Sequence, residues 1–127
     1  MTLDEARGLV AARRMLGPDA EKAAAIAVTD EIIEALNDGI AAFWFLKADG
    51  TLRHALGTRN HDIISQWEER NGIEKTDTDA RNDYKRRNAS ETAYFDLEAT
   101  DKATGAPRPA WRSFSPERAV AVDESFC

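Results

Sequence analysis

Along the first forty residues the hydrophobic positions recur every three or four places, and from Ile40 onward they run on or alternate. That change of period divides the chain into a helical part and a β part. Thr2 stands three residues ahead of Glu5, the spacing at which a cap hydroxyl and a glutamate satisfy each other's orphan amides. Leu3, Ala6, Leu9, Val10 and Leu16 follow as a stripe, which Gly17-Pro18 ends. Asp19 is placed to cap a second helix reaching about Asn37, with Ala25, Thr29, Ile32, Ile33, Leu36 and Ile40 along one side and Asp38-Gly39 as its stop. A break near Val28-Thr29-Asp30 also fits, because Thr29 or Asp30 can restart a helix as a cap.

The segment Ile40 to Leu46 is apolar on both sides, with Ile40, Ala42, Trp44 and Leu46 on one and Ala41, Phe43 and Phe45 on the other. A strand of that kind must be covered twice. The simplest arrangement sets one side against a small barrel or curled sheet and lays the N-terminal helices across the other. Ala48-Asp49-Gly50 supplies a tight turn into a return strand, Thr51 to Gly57. Asn60 then caps a short helix that places Ile63, Ile64 and Trp67 together and ends at Asn71-Gly72. Residues 74–91 are almost wholly polar and read as a solvated helix or a mobile loop. Two strands follow, Thr92 to Leu97 and Ala110 to Phe114, on either side of the Gly and Pro loop from Ala103 to Pro109. Ser115-Pro116-Glu117-Arg118 makes a turn or a single 3₁₀ turn, and Ala119 to Val122 completes the sheet as a fifth strand.

Composition narrows the picture without changing it, since 127 residues with 43% hydrophobic and 31% charged residues suit one domain around one core. Residues 1–127 therefore form a single domain: a helical extension over 1–39, a β part over 40–122 with an insertion at 60–91, and a tail over 123–127. No stretch approaches the roughly 18 apolar residues of a membrane span. The start, Met1-Thr2-Leu3-Asp4-Glu5, is acidic where a secretory signal would be basic, so a cytoplasmic protein is expected. The one cysteine, Cys127, has no partner for an internal disulfide and reads as a terminal residue.

The net charge of −6 argues against tight non-specific nucleic-acid binding, which needs a basic surface to release counterions. The charge is uneven, however: residues 1–40 hold eight acids and four bases, and residues 41–127 hold fifteen acids and thirteen bases. A local basic patch on the β part is compatible with that distribution.

The runs Phe45-Leu46-Lys47-Ala48-Asp49-Gly50-Thr51-Leu52-Arg53, Gly57-Thr58-Arg59-Asn60, Tyr94-Phe95-Asp96 and Trp111-Arg112-Ser113-Phe114 carry a resemblance. Together they resemble a family of small SH3-like β-barrel proteins, encoded by phages and mobile elements and mostly of undescribed function. The similarity covers about residues 43–122. The last two runs are also similar to the barrel of WYL-type regulatory domains, where an aromatic strand and an Arg-Ser-Phe strand help form a ligand or nucleic-acid surface. The resemblance implies a small SH3-like antiparallel β-barrel of about five strands; with the helices read above, which lie outside it, the expected fold is α+β, two N-terminal helices packed on that barrel with a short helical insertion.

Candidate chemistry is thin. His54 and His61 lack the spacing of metal ligands, and neither a Gly-x-Ser-x-Gly elbow nor a glycine-rich phosphate loop is present. The acid pairs Asp77 with Asp79 and Asp96 with Glu98 read as solvated. Arg81, Lys85, Arg86 and Arg87 alternate with Asp77, Asp79 and Asp83 and read as local ion pairs. No catalytic residue, cofactor or metal is therefore expected. The candidate binding residues are Lys47, Arg53, Arg59 and Arg112 around Trp111, because arginine beside an aromatic ring suits phosphate and carboxylate. Trp44 and Trp111 read first as core aromatics, and a stacking platform is the alternative.

Two functions fit these residues. One is a non-enzymatic interaction protein of phage or mobile-element origin that binds a host protein or complex, such as a defence nuclease of the CRISPR type. The other is a nucleic-acid-binding or regulatory barrel that uses the basic residues named above.

Overall fold

The computed structural model describes residues 1–72, 91–107 and 111–124. Helix α1 spans Leu3–Arg14, and the Thr2 hydroxyl caps it by accepting the Glu5 backbone N–H at 3.2 Å. Helix α2 spans Pro18–Asp38 without interruption. Its N-cap is Gly17, at φ 96°, with Pro18 as the first helical residue, so the cap expected at Asp19 lies two residues too late. Asp19 instead sits in the first turn, where its negative charge complements the positive end of the helix dipole. The break considered at residues 28–30 is absent because the Thr29 hydroxyl satisfies itself inside the fold. It bonds back to the Ala25 carbonyl at 2.9 Å and across to the Pro116 carbonyl at 3.0 Å.

Strands β1 (Ile40–Leu46) and β2 (Leu52–Thr58) form an antiparallel hairpin in the register Ile40 to Thr58 and Leu46 to Leu52. Gly50 takes φ 87° in its turn, and the Asp49 carboxylate accepts from both the backbone N–H (3.0 Å) and the hydroxyl (2.7 Å) of Thr51. Those two bonds lower the Asp49 pKa, with Lys47 adding a smaller electrostatic share. Helix α3 covers His61–Arg70, followed by β3 (Thr92–Asp96), β4 (Trp111–Phe114), a 3₁₀ turn at Pro116–Arg118 and β5 (Ala119–Val122). The polar run at 74–91 and Cys127 lie outside the described residues, apart from Glu91, as does Ala110, the expected start of β4.

The five strands form one antiparallel sheet in the order β4-β3-β2-β1-β5. The sheet remains open rather than closing as the expected barrel, with β4 and β5 as its two edges. β1, doubly apolar as its sequence requires, has a neighbour on each edge and a helix on each side. On one side Phe43, Phe45 and Ala41 pack with Ile32 and Leu36 of α2 and with Tyr94 and Phe114. On the other, Trp44 packs with Ala6 of α1 and with Val120 and Ala121, against which Leu9 and Val10 also rest. The expectation that both helices share one side is therefore corrected: α1 and α2 cover opposite sides of the same strand.

The carbonyls at the C-terminus of α2 are satisfied from the far end of β2. The Thr58 hydroxyl donates to the Gly39 carbonyl at 2.7 Å, the Arg59 N–H to Leu36 at 2.8 Å, and the Asn60 amide to Asn37 at 3.2 Å. The Asn60 carbonyl oxygen also caps α3 through the Ile63 N–H at 3.2 Å.

Candidate functional site

Strand pairing brings Arg53, Tyr94, Asp96, Arg112 and Phe114 to the side of the sheet that holds Phe43 and Phe45, since Phe45 pairs with Arg53 and Tyr94 with Arg112. Asp96 is buried, with its side chain 3% exposed. One of its oxygens, Oδ2, accepts from Arg112 Nε at 2.8 Å and from Arg53 Nη2 at 3.2 Å; the other accepts the Glu98 N–H at 2.9 Å. One carboxylate thus gathers two arginines that lie 59 positions apart in sequence. Each arginine spends one N–H on Asp96 and remains partly exposed, at 35% and 45% for Arg53 and Arg112. A guanidinium has five N–H donors, so most of each fork is left for an anion.

The two arginines line a cavity of about 360 Å³ bounded by β4, the 3₁₀ turn and the β1–β2 turn. Lys47 and Arg118 add two more cations to its wall, and Tyr94 and Phe114 form part of its apolar lining. Glu91 is the acid on that wall, and the Ser113 hydroxyl donates to it. Among the described residues, with Asp96 counted beneath, four cations face two carboxylates. Tyr94 and Phe114 are buried in the core, so they offer the cavity no open face for a base to stack on.

Of the sequence-derived candidates, the structure brings Lys47, Arg53 and Arg112 together at one cavity that Trp111 borders, and sets Arg59 apart. Arg59 follows the opposite end of β2 from Arg53, roughly 20 Å along an extended strand. The Trp111 ring turns to the other side of the sheet, where it meets Phe95 edge-on at 5.6 Å, and Phe95 in turn meets Trp67 of α3 at 5.3 Å. Trp111 is half-buried and borders the cavity from the β4 edge, with its ring in that second packing. The reading of Asp96 as a solvated acid is corrected: it is the buried hub of the site. Arg118, in the 3₁₀ turn, joins the cavity wall without any local sequence signal that marks it. Arg81, Lys85, Arg86 and Arg87 lie outside the described residues.

Another buried acid, Asp123, joins three parts of the chain. It accepts the Met1 ammonium at 2.6 Å and pairs with His54 Nε2 at 2.8 Å, and the His54 ring lies on Trp44 at 4.8 Å. His54 thus has a structural role, holding β2 to the end of β5. Among the described residues no group of three or more His, Cys, Asp or Glu side chains stands together to hold a metal. No helix among them is long and apolar enough to cross a membrane.

A five-stranded antiparallel sheet in this order, with a helix packed on its core and an arginine-lined cavity beside its edge strand, defines a small SH3-type β module. The chain belongs to the WYL_2 family, described as an Sm-like SH3 beta-barrel fold, whose model matches residues 29–119. The match begins at Thr29, within α2, so the last turns of that helix belong with the sheet, whereas the resemblance seen in the sequence began near residue 43. No curated protein and no solved structure matches the chain.

Proposed function

We propose that this protein is a non-enzymatic binding module that holds single-stranded nucleic acid by its phosphates in the cavity beside β4. The observation that carries this reading is the convergence of Arg53 and Arg112 on Asp96. The buried carboxylate fixes both forks, so little side-chain freedom remains to be lost when an anion arrives. Lys47 and Arg118 extend the positive wall, which makes the site basic within a chain of net charge −6. Phosphate contact without base stacking implies weak sequence preference.

Fluorescence anisotropy with a labelled single-stranded oligonucleotide tests the proposal. Binding at about 50 mM salt should weaken as salt rises, and the double variant Arg53→Ala, Arg112→Ala should flatten the logarithmic salt slope by about one to two. Arg59→Ala, at the far end of β2, should change little. Absence of binding at low salt, or equal losses from Arg59→Ala and the double variant, would overturn it.

The resemblance to small barrels of phages and mobile elements supports a further proposal: that the module acts in a host cytoplasm on a defence nuclease or its nucleic acid. The neighbours of the gene test that context. A setting of unrelated housekeeping genes would count against it.

A further inference from the structure

A second concavity lies on the opposite side of β1, between α1 and the β1–β2 hairpin. It measures about 470 Å³, and Leu3 and Val10 of α1 face Leu46 and Leu52 of the hairpin across it. Arg7 and Arg14 stand on its α1 wall, and among the described residues no acidic side chain lines it. Leu3, Arg7, Val10 and Arg14 are spaced by four, three and four residues, so they form one stripe along the helix. Among the described residues Arg14 has no ion pair, and Arg7 has only a loose one, at 3.7 Å to the almost fully exposed Asp4. Past the end of α1, Met15 and Leu16 are 88% and 66% exposed.

We infer that this groove is a docking surface for an acidic, leucine-bearing segment of a partner protein. The charge pattern selects the occupant. Seven residues of helix separate the two guanidinium stems by about 10.5 Å along the axis. Two carboxylates three residues apart on a peptide in the polyproline II conformation, which has three residues per turn, share one face about 9 Å apart, so such a segment meets both arginines while an intervening leucine enters the apolar floor. An anionic amphiphile with one head group meets one arginine and leaves the other without a counter-charge. The surface shares only Leu46 with the arginine-lined cavity and takes a different ligand.

A ¹⁵N-resolved NMR titration of the whole protein with acetyl-Ser-Glu-Leu-Leu-Glu-Ser-amide tests this inference. Shifts should concentrate at Val10, Leu46, Gly50, Thr51 and Leu52, with affinity in the millimolar range or tighter. The double variant Arg7→Ala, Arg14→Ala, both on the exposed side of α1, should weaken binding at least fivefold, and the peptide with Gln in place of each Glu should behave likewise. Three results would overturn it: no shifts in the groove, equal binding of the Gln peptide, or tighter binding of laurate that either single arginine variant leaves intact. Concentration-dependent shifts at the same amides without peptide would assign the groove to a second copy of this chain and overturn it as well.

Discussion

Gly57 shows how closely β2 and β3 are packed beneath the arginine pair. A Cβ at this position would stand 2.7 Å from the Phe95 carbonyl oxygen and 2.8 Å from the Tyr94 ring. The carbonyl is main chain and cannot turn aside, so Gly57→Ala is expected to destabilise the fold by about 1–3 kcal/mol, measured by denaturant unfolding. An unchanged midpoint would show that the strands separate more easily than this geometry allows. Asp96 illustrates the limit of reading at this scale. As a sequence, Asp96-Leu97-Glu98 is a pair of acids at a strand end; only the strand order makes Asp96 the meeting point of Arg53 and Arg112. The basic residues could be nominated from their neighbours on the hairpin, but their sorting into a gathered set and an outlying Arg59 depended on register, which no local pattern encodes.

Elements were far more legible than sites, because caps and turns are written locally. Thr2, Asn60 and Asp49-Gly50 each do in the structure what their residue types require. The misjudged cap of α2 has the same local origin: Asp19 and the Gly17-Pro18 pair compete for one boundary, and proline, which needs no N–H partner at the first helical position, prevails. Asn60 links two elements at once, with its oxygen on α3 and its amide on the end of α2. Asn60→Ala should therefore cost about 1–2 kcal/mol in thermal or denaturant unfolding, and Asn60→Asp, which keeps the α3 cap and loses the donor to Asn37, about half of that. Equal losses for the two variants would mean that the bond to Asn37 carries the whole effect.

At the scale of the molecule, the period of the hydrophobic pattern announced that β1 needs two covers but not which helix supplies each. Both α1 and α2 are amphipathic, and their assignment to opposite sides follows from the short Gly17-Pro18 link and the strand order together. The two covers differ in depth: α2 inserts Ile32 and Leu36 among four aromatic rings, whereas α1 contributes Ala6, fully buried, with Leu9 and Val10 partly so. Ala6→Glu should accordingly detach α1 first. Hydrogen exchange is expected to show loss of protection in Leu3–Arg14 while the amides of Ile32 and Leu36 stay protected. Simultaneous loss in both helices would indicate one cooperative unit instead.

The enclosure of Ile40–Leu46 has a consequence for the protein's solubility. This heptapeptide is uncharged, rich in aromatic residues and free of proline, the composition of a segment prone to stack into amyloid. With β2 and β5 along its edges and a helix above and below, it is withheld from other molecules for as long as the native state lasts. Fibril growth must then wait on loss of that shelter, and stabilising α2 would slow it without altering the hazardous segment at all.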